Sequence, residues 1–215
     1  MRDAGRLAWL GRIGWAAGVW GIFYPNPYFM CLMTLLVLPV VAFGLVILSR
    51  RRWTLAEASE GRLSLAGMAG LPAMVIGMRA FMDEGLVDWK IGALAGGALG
   101  FGLFLMVLAG EGRLKPGVLA VLLAACAVYG WGGLVFTNRY FDPAPAKVYR
   151  VRVLDKSSDK YTDPLTVTAW GPRPSGNEID VDHAFSRLVQ AGDTICVYVY
   201  PGAAHLPWYR YGLCR

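Results

Sequence analysis

Ile91-Gly-Ala-Leu-Ala-Gly-Gly-Ala-Leu-Gly-Phe-Gly-Leu-Phe-Leu-Met-Val-Leu-Ala109 carries no charged side chain. As a helix, the stretch from Trp89 to Ala109 measures about 31 Å, against about 30 Å for the hydrocarbon core of a bilayer. Its small residues recur at helical spacing. Gly92, Gly96 and Gly100 fall on one stripe, widened by Ala93, Gly97, Ala98 and Gly102. A stripe without side chains lets a neighbouring backbone come close, and close packing drives helix association in lipid. The stretch therefore predicts a membrane helix packed in a bundle. It predicts no reaction.

The rest of the chain supports that class. Of 215 residues 56% are hydrophobic, more than the roughly 45–50% of a soluble domain. The charge is uneven: residues 1–136 hold 18 charged side chains and the shorter 137–215 hold 18 as well. That step marks a membrane part followed by a polar part. The net charge of +6 comes largely from arginines and lysines flanking the apolar segments. Residues 137–215, with ten basic and eight acidic side chains, lack the one-signed field that would attract nucleic acid.

Apolar segments at about 7–24, 27–49, 63–81, 89–109 and 116–136 predict five transmembrane helices, or four if the first lies on the surface. A cleaved signal peptide would need a small-x-small site before Pro25, and none is evident. Tyr24-Pro-Asn-Pro-Tyr28 reads as a turn at the headgroup level. Pro39 and Pro72 sit inside segments and predict kinks. Ala69, Ala73 and Gly77 form a second small-residue stripe, expected to face Gly92, Gly96 and Gly100 across a short acidic loop. Arg79 and Asp83, four apart, are expected to pair.

Basic residues concentrate in cytoplasmic loops. Arg50, Arg51, Arg52 and Arg62 follow the second segment, and Arg113 and Lys115 follow the fourth. Both connections are expected in the cytoplasm. The acidic loop Asp83–Lys90 then lies outside, the N-terminus inside, and residues 137–215 outside. In a bacterial inner membrane that outside is the periplasm.

Residues 137–146, with Phe141-Asp-Pro-Ala-Pro145, read as a stiff linker. From 147 to 215 the period changes to two. Val148–Leu154, Leu165–Trp170, Glu178–Val181, Thr194–Tyr200 and Trp208–Leu213 read as short strands, with one helical turn in Ala184–Gln190. A small all-β extracytoplasmic domain, a sandwich or open barrel, is the simplest architecture.

Candidate sites are sparse. Glu178, Asp180 and Asp182 share one face of a strand beside His183. They could hold a hard cation, but read first as a wet strand face with Ile179 and Val181 turned inward. His183 and His205 lack a third ligand for zinc. Cys31 and Cys126 fall in spans and read as small apolar residues. Cys196 and Cys214 fall on adjacent arms of the final hairpin, where a disulfide and two free thiols are both open. Tyr198, Tyr200, Trp208, Tyr209 and Tyr211 crowd that hairpin, as a binding platform or as strand formers. No catalytic motif is present, no cofactor is implied, and Arg12 and Arg79 are the ionisable residues within spans.

The order Tyr-Pro-Asn-Pro-Tyr at 24–28, Phe-Asp-Pro-Ala-Pro at 141–145, Val-Tyr-Arg-Val-Arg-Val-Leu-Asp-Lys at 148–156, Ala-Gly-Asp-Thr-Ile-Cys-Val at 191–197 and Pro-Trp-Tyr at 207–209 resembles uncharacterised bacterial multi-pass inner-membrane proteins with a small C-terminal β-domain. The resemblance implies no catalytic residue. The expected function is a non-enzymatic envelope protein. It would sit in the lipid bilayer and present its β-domain to an envelope protein or a second copy of itself. The alternative is a small-solute carrier or channel with that domain as a lid.

Overall fold

The computed structural model describes residues 2–48, 52–55, 63–83, 85–111, 114–157, 163–174 and 178–214. Arg50, Arg51, Arg62 and Arg113, on which the loop assignment partly rests, lie outside the described residues, as do 175–177 between the expected strands Leu165–Trp170 and Glu178–Val181. The chain divides into two units. One comprises residues 1–84 and 90–137, the other 85–89 and 138–215.

The first unit is helical. Its helices are α1 (Arg2–Phe23), α2 (Tyr28–Leu48), α3 (Ala66–Asp83), α4 (Trp89–Glu111) and most of α5 (Pro116–Tyr140). Between α2 and α3, the two-residue strands β1 (Trp53–Thr54) and β2 (Leu63–Ser64) pair in parallel. Trp20 Nε1 donates to Asn26 O across the turn that separates α1 from α2, at 3.3 Å. Both α2 and α3 run unbroken through their internal prolines, Pro39 and Pro72.

Three helices, α2, α4 and α5, are long and apolar enough to cross a membrane. The expectation of five spans reaches further than this. Helix α1 contains Arg2, Asp3, Arg6 and Arg12, and α3 is apolar over the shorter run Ala66–Met82.

Glycines set how these helices meet. A Cβ built on Gly14 would lie 2.1 Å from Gly67 O, and one on Gly18 would lie 2.4 Å from Leu71. Helices α1 and α3 therefore run side by side and parallel. The Arg79 guanidinium caps the pair, donating to Gly21 O at 2.9 Å and Ile22 O at 3.0 Å. The end carbonyls of α1 have no intrahelical donor and take the arginine; the side chain of Asp83, its expected partner, lies outside the described residues.

The expected meeting of the two small-residue stripes is corrected. A Cβ on Gly96 would fall 2.7 Å from Trp131 Cα, and one on Gly100 would fall 2.4 Å from Cys126 O. Both belong against α5, which runs antiparallel to α4. Gly77 of α3 likewise meets Val128 of α5, and Gly132 meets Gly77 N at 2.7 Å by the same measure. Tyr129 of α5 donates to Leu36 O of α2 at 2.6 Å and meets Phe43 edge-on. Helix α5 thus touches α2, α3 and α4. Gly130 and Gly132 are contact points. Helices α1, α3 and α5 run one way; α4 runs the other, and α2 passes antiparallel to α5.

The second unit is built on one sheet. Strands β3 (Gly85–Leu86), β4 (Lys147–Lys156), β5 (Asp163–Val167), β6 (Glu178–Val181), β7 (Thr194–Tyr200) and β8 (Trp208–Leu213) lie in the order β3-β8-β7-β4-β5-β6, antiparallel throughout. A register shift between Val153 and Asp155 lets β4 serve both halves of the sheet, which curls into a half-barrel. The period-two pattern explains its core: Val151, Val153, Leu165, Val167, Ile195 and Val197 point to one buried side. Helix α6 (His183–Ser186) packs Phe185 against that core.

Of the two expected architectures, the described strands form the open one, a half-barrel, and the sheet has a strand that sequence placed in a loop. That strand is β3, from the connection between α3 and α4. The expected linker 137–146 is shorter as well, because α5 runs on to Tyr140.

Candidate functional site

The four acidic-strand residues do not converge. Glu178 and Asp180 are exposed on β6, while Ile179 and Val181 are buried. Asp182 instead caps α6: its Oδ1 accepts from Phe185 N at 2.7 Å, and its backbone N–H donates to Tyr211 Oη at 3.1 Å. His183 turns to Asp163, with Nδ1 3.0 Å from Oδ2. Among the described residues, no three or more His, Cys, Asp or Glu side chains stand together as a metal-holding group. Ser186 follows His183 on α6 and is fully buried. His205 sits exposed in the loop before β8, at a φ of 57°.

Cys196 and Cys214 are joined as a disulfide, with Cα atoms 5.1 Å apart. Cys196 pairs with Gly212 in the ladder, so Cys214 lies just beyond the paired arm. Cys31 and Cys126 are buried free thiols in α2 and α5.

Of the two readings of the last hairpin's aromatic residues, the packing of Trp208, Tyr209 and Tyr211 fits the strand-forming one. Trp208 is 5% exposed, stacks on Tyr200 at 4.1 Å, and donates from Nε1 to Asp142 Oδ2 at 3.2 Å. Arg139 and Arg210 lie over its ring, at 5.0 and 5.4 Å. Tyr209 meets Trp170 at 5.4 Å, with Arg173 beside both rings. Tyr211 packs on Phe185 at 4.8 Å. Burial raises the pKa of Tyr209, opposed by the nearby Arg173 charge, and burial likewise raises that of Tyr211.

Sequence reasoning passed over three groups that structure the molecule. Asn138 holds the 202–206 loop: Oδ1 accepts from Ala204 N at 2.9 Å, and Nδ2 donates to Leu206 O at 2.8 Å. Gly202, at a φ of 78°, lies so close that a Cβ there would sit 2.4 Å from Asn138 Oδ1. In the helical unit, Glu111 is 2% exposed at the end of α4. It accepts from Thr54 Oγ1 at 2.8 Å and from Leu55 N, fastening the 52–55 segment. Beside this contact lies an apolar cavity of about 130 Å³ between α2, α3 and α5. A buried carboxylate next to a short polar stretch is a signal visible in sequence only once its partner is known.

These features define an α-helical protein with three membrane-length helices and a disulfide-bearing curled antiparallel sheet. Comparison with known protein families, with characterised proteins and with solved structures gives no match in any of the three.

Proposed function

We propose that the chain is a five-span protein of a bacterial inner membrane that anchors a disulfide-bonded sheet in the periplasm for contact with an envelope partner. The observation that carries this is β3. It lies in the α3–α4 connection, yet pairs with β8 in the sheet that holds Cys196–Cys214. One sheet cannot be divided by a bilayer. The α3–α4 connection and residues 138–215 therefore share a side, as the basic-loop rule requires. The disulfide supports an oxidising compartment on that side. The parallel course of α1 and α3, and the glycine contacts between them, support α1 and α3 as spans alongside the three longer helices.

The described residues offer a stabilised sheet and no converging reactive groups, which favours a binding role over catalysis. Two reporters fused after Arg215 test the topology. One active only in the periplasm should give signal, and one active only in the cytoplasm should stay dark; the opposite result inverts the map. Photo-crosslinkers at exposed sheet positions such as Arg150 test the partner. A discrete adduct to one envelope protein or to a second copy supports the binding role. Solute flux in proteoliposomes with no adduct would favour the carrier.

A further inference from the structure

The cavity between α2, α3 and α5 is lined by Phe43, Ala69, Gly70, Ala73 and Leu122, with Leu55 and Leu114 at one end. It is not closed. Val121, on its lining, is 70% exposed, and Ala66 is exposed as well, so the cavity opens sideways between α3 and α5. Gly70 is one reason it exists: a Cβ there would meet nothing within 4 Å. A Cβ at that point of α3 would displace no neighbour. An apolar space of this kind does not attract water, which needs polar partners.

Its end is marked by charge. Among the described residues of 52–55, 63–66 and 114–118, Arg52 and Lys115 are the charged side chains, and both are exposed. Each is close in sequence to a lining residue at that end, Leu55 or Leu114. The nearest acidic side chain among the described residues, Glu111, is turned inward to Thr54 and Leu55. The groove thus combines an apolar slot and a lateral mouth, with two exposed cations close in sequence to its end-lining residues Leu55 and Leu114.

We propose that this groove holds one acyl chain of an anionic phospholipid, whose phosphate is met by Arg52 and Lys115. The proposal rests on the reading of α2 and α5 as membrane spans. It specifies the lipid leaflet as well, because the basic connections face the cytoplasm in that reading.

The full chain in detergent, exchanged with phosphatidylglycerol or phosphatidylcholine, tests this by native mass spectrometry. Wild type should retain one phosphatidylglycerol in preference to phosphatidylcholine. Gly70→Leu should lower that retention about tenfold, as expected for displacing about two methylenes. Its melting temperature without added lipid should hold or rise, which separates a filled groove from a damaged fold. Val121→Trp, at the exposed mouth, should have the same effect on retention. Arg52→Gln with Lys115→Gln should erase the headgroup preference, at about fivefold per cation, while keeping the chain contact. Equal retention by wild type, Gly70→Leu and Val121→Trp would overturn the proposal, and so would retention indifferent to headgroup. A chain recovered from membranes without detergent would instead remove the membrane reading beneath it.

Discussion

The amide of Asn138 joins the end of α5 to the loop before β8 through its own two polar atoms. Asn138→Ala strands the backbone groups of Ala204 and Leu206, and should cost about 2–4 kcal/mol in thermal unfolding. Gly202→Ala should be at least as damaging, because its Cβ would strike that amide at a positive φ. Tyr209 gives a pH dependence. Burial raises its folded pKa above the ordinary 10.0, so the unfolded chain ionises first. The stability it contributes is full below pH 10 and is lost as pH rises through the higher folded value. Alkaline unfolding followed by tyrosinate absorbance should therefore show a smaller fall in Tyr209→Phe than in wild type.

Between elements, the informative contrast lies along α4. Gly96→Leu and Gly100→Leu would drive side chains into the α5 backbone, and each should cost about 1–3 kcal/mol or more. Gly97→Leu and Gly102→Leu point where a Cβ meets nothing within 4 Å, and should leave the melting temperature in detergent nearly unchanged. Equal losses at all four positions would mean that α4 does not pack on α5 through this face. The glycine spacing on α4 was legible in sequence, but its partner was not. Small residues announce a close approach without naming the helix that comes close. Gly14 and Gly18 of α1 carried the same signal for α3, obscured by the charges around them. In the sheet, the alternation from Val148 to Leu154 and from Thr194 to Tyr200 was readable, because burial on one face imposes period two. Strand β3 was not, since two residues show no period at all.

For the whole molecule, the disulfide and the topology stand together. Cys196 and Cys214, 18 residues apart, should raise stability by about 3 kcal/mol through the loop they close. Cys196→Ser with Cys214→Ser should make the sheet more sensitive to protease in the oxidised protein, and have no further effect once wild type is reduced. Peptide mapping without reductant should recover the two cysteines linked. Strand β3 also bears on the order of synthesis. Gly85 and Leu86 leave the ribosome long before Trp208 and Tyr209, the residues they pair with. Helices α4 and α5 must settle in the interval, while a strand on one side waits for its mate. A nascent chain stopped before Trp208 would leave Cys196 without its partner thiol and the edge of β7 bare. Pairing of β8 covers that edge and brings Cys214 to Cys196, so loss of the free Cys196 thiol would report when the sheet has gained β8.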